Sequence, residues 1–171
     1  DKAAMPVNLY GATKLCSDKL FVAGNMSAGS GRTRFAVVRY GNVFGSRGSI
    51  VPVIHALRQK EEKMIGLTDV RMTRFNITLT QAVNFVLSAL VTMHGGEVFI
   101  PKLPSYKLPQ VAAAVAPECA TRVIGRRPGE KVHELMVPED EAYRTKEIAD
   151  RYIIEPEWES FGAIILSLSQ K

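Results

Sequence analysis

From Pro6 to about Ala23, the apolar residues Leu9, Ala12, Cys16, Leu20 and Ala23 recur at three- and four-residue spacing. This period predicts an amphipathic helix, with Gly24-Asn25 as its stop. The next segment has a different rhythm: RFAVVRY is a continuous, β-branched apolar run between Gly31 and Gly41. It predicts a parallel strand covered on both faces, opening into a loop, GNVFGSRGS. Farther on, Thr78 stands three residues ahead of Gln81, which predicts a capping box for the helical run TQAVNFVLSALVTM, ended by His94-Gly95-Gly96. EVFIP then predicts a buried strand, YKLPQVAAAVAPE a helix, and TRVIG and RYIIEP two further short strands.

Strand and helix alternate, so the class is α/β. The expected architecture is a partial Rossmann-like fold: a doubly wound parallel sheet lacking its N-terminal strands, with a small C-terminal substrate-binding region. The strands here are fewer than the five to seven, roughly, of a complete doubly wound sheet, so more strands are expected ahead of Asp1. No repeat or low-complexity stretch divides the chain. Residues 1–160 are expected to form one interleaved unit, and 161–171 (FGAIILSLSQK) an unmatched tail.

At 171 residues and 46% hydrophobic composition, the chain can bury a real core. The net charge of +5 would suit a phosphate-bearing partner, but an excess of this size is common among soluble enzymes, and nucleic acid is not the expected partner. Cys16 and Cys119 form no CxxC pair, which predicts a reducing, cytoplasmic setting. AIILSL is far shorter than the roughly 18–20 apolar residues that span a bilayer, so no membrane association is expected. His55, His94 and His133 lack metal-ligand spacing, no G-x-S-x-G elbow is present, and no metal is expected.

Tyr10 and Lys14 lie four apart on the first predicted helix, placing phenol and ammonium on one face. An ammonium one turn from a phenol is the arrangement in which a tyrosine serves as a base. The strand RFAVVRY ends in a Gly-, Asn- and Ser-rich loop, the place where open α/β sheets bind ligands. Together, NLYGATK and VVRYGNVFGSRG resemble the extended short-chain dehydrogenase/reductases that act on nucleotide sugars. Asp1-Lys2 narrows the resemblance to the inverting UDP-N-acetylglucosamine 4,6-dehydratase group, of the polysaccharide and pseudaminic acid type.

That resemblance implies a lyase that oxidises carbon 4 of UDP-N-acetylglucosamine, eliminates water across carbons 5 and 6, and inverts carbon 5. By the same resemblance Asp1 is the acid, Lys2 the carbon 5 base, and Tyr10 with Lys14 the oxidising pair. Tyr10 and Lys14 would also touch the cofactor, NADP or NAD, which is expected to be bound mostly by a part ahead of Asp1. Asn42, Arg47, Arg74, Arg127 and Glu130 are the implied contacts of the UDP-sugar, since arginine forks suit phosphate oxygens. A homo-oligomer is expected at full length, and the 171-residue chain alone is expected to be inactive. Another sugar-nucleotide dehydratase or epimerase, or a catalytically dead sugar-nucleotide-binding fragment, stays open.

Overall fold

The computed structural model describes residues 1–28 and 33–157. Gly31 and the tail 161–171 lie outside the described residues. The order of elements is α1 (Leu9–Ala28), β1 (Val37–Val38), β2 (Asn42–Val43), α2 (Ile50–Gln59), β3 (Met64–Leu67), β4 (Thr73–Ile77) and α3 (Leu79–Thr92). It continues with β5 (Val98–Pro101), β6 (Ser105–Lys107), α4 (Leu108–Val115), β7 (Ala120–Val123), α5 (Glu139–Ala142), β8 (Thr145–Glu147) and β9 (Arg151–Ile154).

The main sheet runs β1-β5-β9-β8. β1 and β5 are parallel, with Val37 beside Val98, whereas β9 is antiparallel to both β5 and β8. Parallel pairing also joins β2 to β4 and β3 to β7. Antiparallel strands at the edge of a parallel sheet are common in α/β folds. Both faces of β1 are covered, as the apolar run predicts. Val37 packs with Val98, Ile100, Met136 and Ile154, joined by Val22 of α1, while Ala36 and Val38 face Phe85, Ala89 and Phe99 on the α3 side. α1 and α3 therefore lie on opposite faces of the sheet, which is the α/β layering read from the sequence.

Two local expectations are corrected. Gly24-Asn25 does not stop α1, which runs on to Ala28. The pair instead receives the chain leading into β1. A Cβ on Gly24 would lie 3.1 Å from the Phe35 ring, and Asn25 donates to the Phe35 carbonyl at 2.8 Å while accepting from its N–H at 2.9 Å. The apolar stripe of α1 is also not its packed face. Leu9 and Leu20 are 80% and 71% exposed, and the sheet side is formed by Gly11, Asp18, Val22 and Asn25, where polar bonds do the docking.

α3 has the predicted boundaries: Gln81 N–H donates to Thr78 Oγ1 and the Gln81 side chain accepts from Thr78 N–H. YKLPQVAAAVAPE is shorter as a helix than its pattern suggests, because Tyr106 and Lys107 pair with β4 before α4 begins. The loop after β1 holds the two-residue strand β2, and α2, β3, β4, α5 and β8 have no counterpart in the predicted elements. α2, β3 and α4 close a separate core around Ile54, Ile65, Leu67, Ala112 and Ala116. Among the described residues, no helix is long and apolar enough to cross a membrane.

Candidate active site

The site is assembled at the carboxyl end of β1. The main-chain nitrogen of Asp1 donates to the Tyr40 carbonyl at 2.9 Å, laying the first residues beside the end of that strand. Asp1 is buried, and its Oδ2 has no hydrogen-bond partner. α1 starts directly behind. Asn8 accepts from Gly11 N–H at 2.8 Å as its N-cap and, with the same amide group, donates to the Gly129 carbonyl at 2.8 Å. Gly11 permits the close approach: a Cβ there would stand 2.7 Å from the Lys2 carbonyl oxygen.

α1 then presents Tyr10 and Lys14 on one face, with Lys14 Nζ 5.5 Å from the centre of the Tyr10 ring. Tyr10 is 61% exposed. Asp1, Lys2, Tyr10, Lys14, Asp18 and Asn42 line one cavity of about 400 Å³. A second, of about 280 Å³, is walled by Asn42, Arg74, Tyr106, Arg127 and Glu130. Between them, a third of about 220 Å³ is lined by Lys2, Tyr10, Asn42, Arg74, Glu130 and Glu134. Asn42 borders all three, so the proposed chemical and substrate residues meet along one run of clefts.

The centre of the arrangement is the Lys2 ammonium. It donates to Asp1 Oδ1 at 2.8 Å, Glu134 Oε1 at 3.0 Å and Asn42 Oδ1 at 3.3 Å. The Glu134 side chain is 5% exposed and also faces Lys131 Nζ at 3.4 Å and Arg74 Nε at 3.9 Å. Burial works against ionisation there, but Lys2, Lys131 and Arg74 together hold its carboxyl below the usual range. Burial pushes the phenol of Tyr106, on the wall of the second cavity, upward.

Of the residues singled out in the sequence, Asp1, Lys2, Tyr10, Lys14 and Asn42 are brought together. Arg74 is close by, but its guanidinium donates to the carbonyls of Thr73, Lys131 and Val132, bracketing the 125–134 loop against β4. Arg127 and Glu130 sit in that loop, where the Glu130 carboxylate accepts from Arg127 N–H at 3.0 Å. Arg47 is exposed between Gly45 and Gly48 and does not line the cavities named above. Glu134 is a site residue that sequence reasoning misses. Its signal is a carboxylate four residues after Glu130 in RRPGEKVHE, but nothing local says that it reaches Lys2, 132 residues away.

Beneath α1 lies a second charged group. Arg39, directly after β1 and 3% exposed at its side chain, is paired with Glu141 at 2.9 Å and Asp18 at 3.2 Å. It also donates to the Met136 carbonyl at 2.8 Å. Glu141 is shared with Lys19 at 3.0 Å and Arg144 at 3.4 Å.

Known proteins resemble this chain in sequence and in fold. Over 156 residues the chain is 55% identical to the UDP-N-acetylglucosamine 4,6-dehydratase (inverting) of Campylobacter jejuni strain 81-176, covering 91% of this chain and 47% of that protein. The X-ray structure of Pen from Bacillus thuringiensis is 39% identical and superposes with a TM-score of 0.82, covering 89% of this chain and 48% of that one. DesIV, a dTDP-glucose 4,6-dehydratase from Streptomyces venezuelae, shares the fold at 14% identity, with a TM-score of 0.65 over 74% of this chain and 41% of its own. The chain thus spans about half the length of the curated relatives it matches. The model of the family described as polysaccharide biosynthesis protein matches residues 1–156. The chain belongs to the polysaccharide biosynthesis protein family.

Proposed function

We propose that this chain carries the catalytic and substrate-facing residues of a nucleotide-sugar 4,6-dehydratase that takes UDP-N-acetylglucosamine and inverts carbon 5. The observation that carries the reading is the meeting of Asp1, Lys2 and Tyr10 around Asn42, on connected cleft walls. The 55% identity to a relative named for that reaction supports the choice of sugar.

A nicotinamide cofactor would supply the acceptor and later the donor of hydride, and Tyr10 and Lys14 are the residues of this chain that would hold it. They fit that role, since both reach an open cavity of about 400 Å³ that Asp1 and Lys2 also line. Tyr10 takes the proton of the carbon 4 hydroxyl as that carbon is oxidised. The resulting ketone acidifies the hydrogen on carbon 5.

Lys2 and Asp1 share a 2.8 Å hydrogen bond, and one proton moved along it converts the ion pair to an amine and a carboxylic acid. The amine removes the carbon 5 proton. The acid protonates the carbon 6 hydroxyl, which leaves as water. Lys2 is then an ammonium and Asp1 a carboxylate again, so the pair is restored by the elimination itself. Reprotonation of carbon 5 from the face opposite Lys2 gives inversion.

The test uses the intact gene product with UDP-N-acetylglucosamine in heavy water. Wild type should yield a 4-keto-6-deoxy sugar carrying deuterium at carbon 5. Lys2→Ala should abolish that exchange, and Tyr10→Phe should suppress oxidation at carbon 4. Deuterium uptake by Lys2→Ala at the wild-type rate would remove Lys2 from the role of base.

A further inference from the structure

An ammonium has three N–H bonds, and each of those on Lys2 has a protein acceptor: Asp1, Asn42 and Glu134. Once the bond toward Asp1 has given up its proton, two N–H bonds remain, and they are held by Asn42 Oδ1 and Glu134 Oε1. The lone pair must then occupy the third tetrahedral direction, on the side of Asp1, and it is freed toward the cavity that both residues line when the Asp1 O–H turns from it to the carbon 6 hydroxyl. We propose that Glu134 is a positioning residue: together with Asn42 it holds the Lys2 amine in place, so that the lone pair, once Asp1 has turned its proton to carbon 6, stays directed into the cavity. This inference rests on the dehydratase reading and extends it to a residue outside the Tyr10, Lys14, Asp1 and Lys2 set.

The surroundings of Glu134 suit a fixed anchor. Its side chain is 5% exposed; Lys131 Nζ stands 3.4 Å from Oε2, and Arg74 Nε 3.9 Å from Oε1, the oxygen that accepts from Lys2. Lys131 is itself tied by a hydrogen bond from Nζ to the Ala4 carbonyl at 2.6 Å, and Arg74 by its three backbone carbonyls. Two cations anchored elsewhere therefore hold the carboxylate independently of Lys2. It reaches the lysine from the 125–134 loop, whereas Asn42 reaches it from β2, so the amine is gripped from two separate elements. The other charged or titratable groups around the lysine are Asp1 from the first residues, Tyr106 from β6, and Tyr10 and Lys14 from α1.

Aiming matters only in the step that uses the lone pair. There the carbon 5–hydrogen bond breaks, its electron pair enters the enolate of the carbon 4 ketone, and the proton goes to Lys2 Nζ. Hydride removal from carbon 4 does not involve that lone pair. The two steps separate experimentally, by reduced-nicotinamide absorbance for the first and deuterium uptake at carbon 5 for the second.

The experiment compares wild type, Glu134→Ala and Glu134→Gln in the intact gene product, with UDP-N-acetylglucosamine and the nicotinamide cofactor in heavy water. Glu134→Ala should reduce cofactor with a KM within about twofold of wild type, yet lose carbon 5 exchange by about 100-fold, the penalty of a misplaced reacting group. Glu134→Gln keeps an oxygen acceptor of the same reach but not its charge, and should lose about 10-fold, as a charge-assisted bond becomes a neutral one. Wild-type exchange in either variant overturns the proposal. So does a parallel loss of cofactor reduction and exchange, which marks a residue that only supports the fold. The glutamine variant decides the question if the alanine variant does not fold. Failure of the wild type to form a 4-keto-6-deoxy sugar would instead refute the underlying reaction.

Discussion

Replacing Glu141 by alanine removes the carboxylate beneath α1 and leaves Arg39 with half of its charge partners. Arg39 and Glu141 are 3% and 8% exposed at their side chains and 2.9 Å apart. Removing one member of a buried pair costs about 3–5 kcal/mol, because the other stays buried without compensation. Asp18, 3.2 Å from Arg39, remains as a second carboxylate, so the lower end, about 3 kcal/mol, is expected. For a chain of this size that corresponds to a fall in Tm of about 6–12 °C, at about 2–4 °C per kcal/mol. Lys19→Met provides the internal contrast, since it touches the same carboxylate through a side chain that is 56% exposed. It should cost less than about 1 kcal/mol. Urea denaturation at neutral pH measures both. A Glu141→Ala loss below about 1 kcal/mol, or one no larger than that of Lys19→Met, would refute the idea that burial sets the value of this pair. Acid supplies a second reading. Burial opposes ionisation of Glu141, but Arg39 and Lys19 prevail and hold its carboxyl below the usual range. A carboxyl that ionises more readily folded than unfolded stabilises the fold above its unfolded pKa, about 4.3, and that stabilisation is lost as pH falls through the folded value. The gap between wild type and Glu141→Ala should therefore narrow below about pH 4.

Gly11→Ala should destabilise by about 1–3 kcal/mol, because the new methyl would meet Pro6 Cβ at 2.8 Å as well as the Lys2 carbonyl; thermal unfolding measures this, and an unchanged Tm would refute the close approach. Arg127→Ala should raise KM for the UDP-sugar by about 10-fold with kcat retained, the loss of one charge-assisted contact to phosphate. An unchanged KM would make Arg127 a surface residue.

The elements legible in the sequence are those whose determinants are local. Thr78 and Gln81 cap each other across three residues, and α3 starts where they place it. EVFIP is apolar after its first residue, and Val98–Pro101 is buried throughout. α1 is legible as a helix but not in its orientation, because its sheet side is chosen by Asp18 reaching Arg39 and Asn25 reaching Phe35. A scale of hydrophobicity sees neither. The pair Tyr10 and Lys14 can be read from helix spacing, and Asp1-Lys2 from resemblance, but Glu134 cannot. Its partner is 132 residues away, and the contact exists only once Arg74 and Lys131 have folded the 125–134 loop back onto β4.

The double use of Asn8 has a practical consequence for anyone redesigning the substrate preference of this scaffold. Exposed loops normally absorb insertions with little penalty, and 125–134, which carries Arg127 and Glu130, would be the first place to randomise. Here the second half of that loop serves as a gauge for the helix that bears Tyr10. Gly129 is tied to its N-cap, Lys131 to Ala4 and Glu134 to Lys2. At φ +78°, with a Cβ position 2.9 Å from Asn8 Cβ, Gly129 leaves no room for a side chain. A library should therefore vary length and sequence at 125–128 alone. An added residue between 129 and 134 would alter the spacing of Tyr10 and Lys2 before it altered the rest of the cleft that they line.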